Sequence, residues 1–324
     1  MARVAYIGNF DGVPYSTEND VRKAFEHLGH EVIQLQENKV SIPQVLQAAL
    51  SSDLLLITGT WDEALPLQDM LDIFHDCAER GIPTATLHLD TFWGKSRGGR
   101  KWWRAPMFHT AYIFTADGDY QEQWKAFGKN HIWLPPAVRH DAAHFGRYRP
   151  EYACDVAFVG SNGVGYHEDV WSYRKDLVDA LRDMCRRNGW SFKNPGGDQP
   201  KIDRGEDMND FYASAKVTVG DSLCLKKEES HYWSDRVPEA TGRGGFLVMP
   251  KIRALEKLYP VQPDGLKFYE WNNFKDLEEE IGVWLSPSFS DIWKRQVRYT
   301  QAITARDHTY VNRVQTILNE VGLV

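Results

Sequence analysis

The chain has 324 residues, a net charge of −7 at pH 7 and a sequence pI of about 5.9. Hydrophobic residues make up 42% and charged residues 26%, and no apolar run approaches the ~18 residues of a membrane span, which excludes disordered and transmembrane proteins as classes. The acidic balance excludes binding of a polyanion by bulk charge, so contact with nucleic acid would need a local basic patch.

Targeting and redox signals are sparse. The first ten residues look like a buried strand and not like a signal peptide, and the four cysteines are too widely separated for a zinc site. We therefore expect a cytoplasmic protein with reduced thiols, no membrane contact and no bound metal. At this length two domains of about 150 residues each are expected.

The first half of the chain alternates short apolar segments with amphipathic ones. The pattern predicts strands at 3–8, 31–35, 53–58, 84–89, 111–114 and 131–134, and helices at 17–28, 42–50, 64–79 and 120–127. Strands that are apolar throughout and alternate with helices are typical of a parallel sheet covered on both faces. The Pro-rich stretch 134–138, a hinge or a rigid turn, ends this half.

The second half repeats the scheme. Strands are predicted at 154–160, 190–192, 217–220, 245–249 and 266–269, with helices at 172–188, 235–241, 252–258 and 274–285 and a helical tail from 290. We predict an α/β protein with an N-terminal domain at 1–138 and a C-terminal domain at 139–305. A helix at 306–324 could pack back on the first domain. Two doubly wound sheets would face a cleft, where ligands bind at the carboxyl ends of the strands.

The loop Gly160-Ser-Asn-Gly-Val-Gly165 follows a predicted strand directly. Glycine lets backbone amides approach a phosphate, so Gly160, Ser161 and Asn162 are predicted to bind an anionic ligand. The spacing fits neither the P-loop nor the dinucleotide-binding fingerprint, and a simple tight turn is the alternative.

A more specific signal lies between Ser234 and Met249. Arg236 and Glu239 are three positions apart, so they share a face of the predicted helix. Here an arginine can pair with a diphosphate and a carboxylate can accept both hydroxyls of a ribose, whereas the alternative is a surface ion pair. In either case we expect the carboxylate of Glu239 to contribute little to the core.

The run Asp235-Arg-Val-Pro-Glu-Ala-Thr-Gly-Arg-Gly-Gly-Phe-Leu-Val-Met249, with the strand and Asp-Leu helix that follow, resembles the donor domain of spore-maturation-type glycosyltransferases. The resemblance covers about the last 110 residues of the two domains, and 158–161 agrees more weakly. It implies a GT-B fold of two Rossmann-like domains and a UDP-linked nucleotide-sugar donor, with no metal or other cofactor.

The resemblance also implies roles for individual residues. Glu239 is the expected ribose ligand and Arg236 a contact for the donor phosphates, while Gly244 and Gly245 would let the chain approach the donor. Related retaining enzymes often carry a glutamate eight residues earlier, where this chain has His231, so retention or inversion is not predicted.

Weaker donor candidates follow the strand predicted at 217–220. Asp221 and Ser222 are candidates for contact with the nucleobase, and Lys226 or Lys227 could offset diphosphate charge. A solvated residue is the alternative for each of the four.

The acceptor side needs a base if the reaction inverts. Glu18, at the start of the first predicted helix, and the pair His88 and Asp90, at a strand end, are the candidates. Because His88 and Asp90 alternate with apolar residues, we expect both to point into the cleft. A core histidine and a carboxylate that complements the helix dipole are the alternatives for His88 and Glu18.

The acceptor itself is suggested by residues 93–104, the basic tryptophan segment, which holds five basic residues and three tryptophans within twelve positions. Its predicted acceptor contacts are Lys95, Arg97, Arg100, Lys101, Trp102, Trp103 and Arg104. Charges can hold phosphates and indole rings can stack on bases, so the best prediction is a 5-hydroxymethylpyrimidine in phage-type double-stranded DNA. A glycan or small-molecule acceptor, a solvated turn, a nucleotide-sugar epimerase and a non-catalytic sugar-binding protein stay open.

Overall fold

A computed structural model of the chain describes residues 1–12, 15–58, 65–90, 104–163, 171–260 and 265–324. The chain forms two compact units. The N-terminal unit comprises Met1–Pro135 together with Tyr310–Val324, and the C-terminal unit comprises Pro136–Thr309.

The N-terminal unit contains a six-stranded parallel sheet in the order β2-β1-β3-β4-β5-β6. Its strands are β1 (Arg3–Gly8), β2 (Glu31–Gln36), β3 (Leu54–Ile57), β4 (Thr84–His88), β5 (Tyr112–Thr115) and β6 (Asn130–Trp133), and its first helices are α1 (Thr17–His27), α2 (Ile42–Leu50), α3 (Leu67–Glu79) and α4 (Gln121–Ala126). Apolar residues of β1 and β3, such as Ile7 and Leu55, pack with Ile73 and Phe74 of α3 in one core.

Local sequence signals account for the first helix. Ser16 caps α1, because its Oγ accepts a hydrogen bond from the backbone N of Asn19 at 3.2 Å. Glu18 and Asp20 in the first turn complement the helix dipole, and Phe25 is buried against the sheet. The first turn of α1 lies close to the carboxyl end of β1, since a Cβ on Gly8 would be 3.0 Å from Cγ of Glu18.

The C-terminal unit contains a five-stranded parallel sheet in the order β11-β10-β9-β7-β8. Its strands are β7 (Cys154–Ala157), β8 (Phe192–Lys193), β9 (Ala215–Val219), β10 (Leu247–Pro250) and β11 (Lys267–Tyr269). The helices are α5 (Tyr173–Asn188), α6 (Glu206–Ser214), α7 (Arg236–Gly242), α8 (Arg253–Leu258), α9 (Phe274–Leu285) and α10 (Ser290–Asp307). The last helix, α11 (Tyr310–Glu320), packs on α1 in the N-terminal unit.

The predicted fold class, α/β with two parallel sheets, is confirmed. The sequence patterns missed α6, because buried Asn209 and Asp210 stand between Met208 and Phe211 and interrupt the apolar period. None of the described helices combines the length and the apolar character that a membrane span requires.

Candidate functional site

The loop after β7 is shaped by a buried amide. Asn194 is fully buried, and its Nδ2 donates to the carbonyl oxygens of Phe158 and Gly160, both at 2.8 Å. Gly160 has a φ of +137°, and a Cβ at this position would lie 2.7 Å from Nη2 of Arg236. Glycine is therefore needed here for backbone conformation and for the close approach of a guanidinium group.

Asp221 joins two arginines at the carboxyl end of β9. Its carboxylate is fully buried; Oδ2 accepts from Nε of Arg174 and Oδ1 from Nη1 of Arg236, each at 3.0 Å. Arg236 also donates through Nε to the carbonyl oxygen of Val159 at 2.7 Å, and Arg174 reaches Oγ of Ser161 at 3.4 Å. Both guanidinium groups therefore lie beside the loop that begins at Gly160, which we call the glycine loop.

A second aspartate extends this group into what we call the arginine cluster: Arg174, Arg204, Arg236, Asp221 and Asp235. Arg204 and Asp235 form an ion pair. Burial raises the pKa of Asp235, but the positive charges of Arg204, Arg236 and Arg174 outweigh burial and hold the pKa below its ordinary value. Three positive and two negative side chains leave a net charge of +1, which favours an anionic ligand.

Glu239 has a different environment from the one expected. It is 5% exposed, and its Oε2 accepts from Nε of Arg243, itself 1% exposed, at 2.8 Å. Arg243 donates further to the carbonyl oxygens of Arg204 and Gly205 and to Oδ1 of Asn209. The expectation that Glu239 adds little to the core is wrong, because its carboxylate is the counter-charge of a buried guanidinium. A surface pair between Arg236 and Glu239 does not form, since each has another partner.

The remaining donor candidates are dispersed. Ser222 is fully buried, and its Oγ accepts from the backbone N of Ser234 at 2.8 Å. The side chain of Asn162 turns to Asp198, with its Nδ2 2.9 Å from Oδ1. Lys226 and Lys227 are exposed.

The two glycines after α7 face protein atoms. A Cβ on Gly244, whose φ is +83°, would lie 2.4 Å from the ring of Phe145, and a Cβ on Gly245 would lie 3.0 Å from the ring of Tyr212. Close packing within the C-terminal unit accounts for both glycines without a ligand.

In the N-terminal unit, Glu18 and His88 lie at the carboxyl edge of the sheet. Glu18 is 8% exposed, and its Cγ would lie 3.0 Å from a Cβ on Gly8 at the end of β1. His88 is the last residue of β4, and its ring packs edge-to-face with the ring of Phe108, with 5.6 Å between the two ring centroids. Because β3 separates β1 from β4, these strand ends are about 10 Å apart.

Asp90 departs from the prediction. The strand ends at His88, which is buried, whereas Asp90 lies beyond the strand and is exposed. The strand alternation that was expected to point the side chains of His88 and Asp90 into the cleft therefore ends at His88. The structure does not support a common direction for these two side chains. Burial raises the pKa of Tyr6 well above its ordinary value, and the negative charge of Glu18 raises it further.

The basic tryptophan segment is described only at its end. Lys95, Arg97, Arg100, Lys101, Trp102 and Trp103 lie outside the described residues. Arg104 lies within them and is exposed. Among the residues that the structure describes, no group of three histidine, cysteine or acidic side chains is arranged to hold a metal ion.

The sequence patterns did not indicate Arg174, Asn194 or Asp198 as site residues. Arg174 carried a usable signal: a positive side chain in the first turn of a helix opposes the helix dipole, which suggests that another charge holds it there. Asn194 and Asp198 flank the turn Asn194-Pro-Gly-Gly-Asp198 and gave only a turn signal.

Comparison with known proteins bears on the enzyme class and on the fold. Residues 165–319 match the model of a family described as glycosyl transferase-like, and no curated protein matches the chain. The predicted enzyme class, a glycosyltransferase, is confirmed at the level of this family match.

Solved structures align over nearly the whole chain. An alpha-glucosyltransferase in complex with UDP-glucose and DNA containing an abasic site has a TM-score of 0.65 and 10% identity, covering 99% of both chains. Anabaena Alr3699/HepE in complex with UDP and glucose has a TM-score of 0.60 and 11% identity over 100% of both chains. A glycosyltransferase from Rickettsia africae has a TM-score of 0.58 and 11% identity over 98% of both chains. These likenesses confirm the GT-B fold.

Proposed function

We propose that this glycosyltransferase takes its sugar from a UDP-linked donor whose diphosphate binds at the arginine cluster. The observation that carries the proposal is the pair Arg174 and Arg236, both held by Asp221 beside the loop at Gly160 and Ser161. Similar structures are complexes with UDP or UDP-glucose, which supports a uridine nucleotide here.

The chemistry follows from charge. Breaking the sugar–phosphate bond leaves negative charge on the departing diphosphate, and guanidinium groups fixed in advance stabilise that charge. The cluster carries a net charge of +1 before the donor binds. We therefore propose that transfer needs no metal ion and continues in excess chelator.

Glu239 is proposed as the ribose ligand. Within the described residues the only hydrogen bond to its side chain comes from Arg243 to Oε2, so Oε1 is left for a sugar hydroxyl. Glu18 or His88 of the N-terminal unit is proposed as the base that takes the acceptor proton, with Asp90 the weaker candidate.

For the acceptor we propose a 5-hydroxymethylpyrimidine in double-stranded DNA. The basic tryptophan segment in an otherwise acidic chain supports this proposal, and a similar structure contains DNA with a HMU base. An enzyme acting on such DNA would work in the cytoplasm, that of the host if a bacteriophage encodes it. A glycan or small molecule is the second candidate, because tryptophan also stacks on sugars.

One experiment separates these possibilities. Hydroxymethylated DNA is incubated with a panel of UDP-sugars, with and without EDTA, and its nucleosides are analysed by mass spectrometry. We expect a mass increase of one sugar in both conditions. Transfer only to added sugars would favour the second acceptor class. A changed donor without acceptor would indicate an epimerase, and dependence on a divalent ion would contradict the metal-free mechanism. Binding of UDP-sugar with no turnover on any acceptor would indicate a sugar-binding protein.

A further inference from the structure

We propose that Asp221 is a positioning residue, which fixes the two guanidinium groups that bind the donor diphosphate. The proposal rests on the proposed function, because it concerns the same site. It also gives Asp221 a role other than the nucleobase contact expected from the sequence, since the side chain is fully buried.

The geometry of the carboxylate carries the argument. Each oxygen of Asp221 holds a different arginine at 3.0 Å: Arg174 from the first turn of α5 and Arg236 from the first residue of α7. One carboxylate thus links two helices. Without it, two like charges would repel each other, and two long side chains would regain rotamer freedom.

These bonds leave Nη2 of each guanidinium group available. Arg174 uses Nε and Nη1, and Arg236 uses Nε and Nη1 for the protein. Within the described residues, Nη2 of neither arginine makes a hydrogen bond to the protein. Because a planar guanidinium group holds its N–H donors in fixed directions, the orientation that Asp221 imposes decides where the Nη2 donors point and where phosphate oxygens can lie.

Charge and orientation predict opposite effects for the loss of this carboxylate. Asp221→Asn raises the net charge of the arginine cluster from +1 to +2, and by charge alone it would tighten the binding of UDP. As a positioning residue, Asp221 has the opposite effect, because an asparagine presents only one acceptor oxygen to two arginines. The sign of the change in affinity therefore distinguishes the two roles.

The test compares UDP with uridine, titrated against wild-type protein and Asp221→Asn. We expect the dissociation constant for UDP to rise about tenfold while that for uridine is unchanged. Asp210→Asn is the matched control, because Asp210 is also buried and accepts from an arginine, Arg149, at 2.9 Å, but holds the segment at 147–149. Unchanged or tighter UDP binding in folded Asp221→Asn overturns the proposal, as does equal weakening of UDP and uridine. Wild-type protein without affinity for UDP would instead contradict the proposed function.

Arg174→Lys gives an answer even if Asp221→Asn fails to fold. Lysine keeps the positive charge but has no planar group to bond Asp221 and Ser161 in one orientation. We expect weaker UDP binding, again with unchanged affinity for uridine. Wild-type affinity for UDP in this variant would show that charge suffices and would overturn the positioning role.

Discussion

Glu239 and Arg243 show how one residue can serve both a fold and a site. The pair is almost completely buried, and Arg243 also bonds the carbonyl oxygens that lead into α6. Low dielectric makes such a pair costly to break, because removing one partner leaves a buried charge without compensation. The carboxylate of Glu239 therefore stabilises the fold, and the same carboxylate is proposed to bind the ribose.

Glu239→Ala is expected to lower the free energy of unfolding by about 3–5 kcal/mol. Glu279→Ala is the control, since it removes an exposed i,i+4 pair with Lys275 at 3.7 Å and should cost less than about 0.5 kcal/mol. Urea denaturation of the two variants measures both values. Equal stability of Glu239→Ala and Glu279→Ala would contradict the structural role, and UDP titration of folded Glu239→Ala tests the ribose contact separately.

His131 gives the N-terminal unit a dependence on pH. Burial lowers its pKa from 6.5 to about 4, while its Nε2 lies 2.8 Å from Oγ1 of Thr115 and its ring stacks on Trp124. Between these two pKa values the unfolded chain takes up a proton that the folded chain does not, so stability falls as the pH falls from about 6.5 towards 4. At higher pH the contribution is fully present.

We expect the Tm to drop less between pH 7.5 and pH 5 in His131→Gln than in the wild type. Glutamine can still bond Thr115 and does not titrate. His75→Gln, at an exposed histidine of the same unit, controls for the loss of an imidazole. Differential scanning calorimetry at the two pH values provides the comparison, and a drop in His131→Gln as large as that of the wild type would show that other groups set the pH dependence.

At the scale of elements, α5 is tied to the glycine loop through a turn between β8 and α6. Arg182 of α5 forms two hydrogen bonds with Asp198, at 2.9 and 2.7 Å, and Asp198 accepts from Asn162 in the loop at 2.9 Å. Arg182, then Asn162, hold the pKa of Asp198 below its ordinary value despite its partial burial. This bridge connects the helix that carries Arg174 with the loop that carries Ser161.

Asp198→Ala is expected to loosen the glycine loop and to weaken UDP binding about fivefold. A displaced loop would lose roughly 1 kcal/mol of its interaction with the phosphates. Asp183→Ala is the control, because Asp183 lies on α5, is exposed and bonds only Arg186 at 3.0 Å among the described residues. Calorimetric titration with UDP would show a difference between the two variants. The same dissociation constant in both would mean that the bridge does not reach the site.

The elements also show what a sequence can and cannot predict. Strands such as β3 and helices such as α2 and α9 follow from apolar runs and from the 3.6-residue period, which depend on neighbouring residues alone. The contact of Arg236 with Asp221 joins residues 15 positions apart, and that of Asn194 with Phe158 joins residues 36 apart. No local pattern encodes such pairs, so the sequence indicated Arg236 by motif but missed the amide and the second arginine that complete the site.

At the scale of the whole molecule, the distribution of charge bears on the acceptor. The chain carries a net charge of −7, so its overall charge repels a polyanion. Five basic residues nevertheless fall within 93–104, beside three tryptophans. If Lys95, Arg100 and their neighbours contact phosphates, each contact releases counterions from DNA, and binding must weaken steeply with salt.

We expect the slope of log K against log salt to fall by about one unit for each contact removed, so that Arg100→Ala combined with Lys101→Ala lowers it by about two. Arg186→Ala combined with Lys275→Ala removes the same two charges from exposed positions on α5 and α9, and it should leave the slope unchanged if the basic tryptophan segment is the contact. Both double variants have the same net charge, so any difference between them reports where DNA binds and not how negative the protein is. Fluorescence anisotropy with labelled hydroxymethylated duplex over a salt series measures the slopes. Equal slopes in the two variants would remove the segment from the DNA contact, and no binding at low salt by the wild type would move the acceptor to a glycan or small molecule.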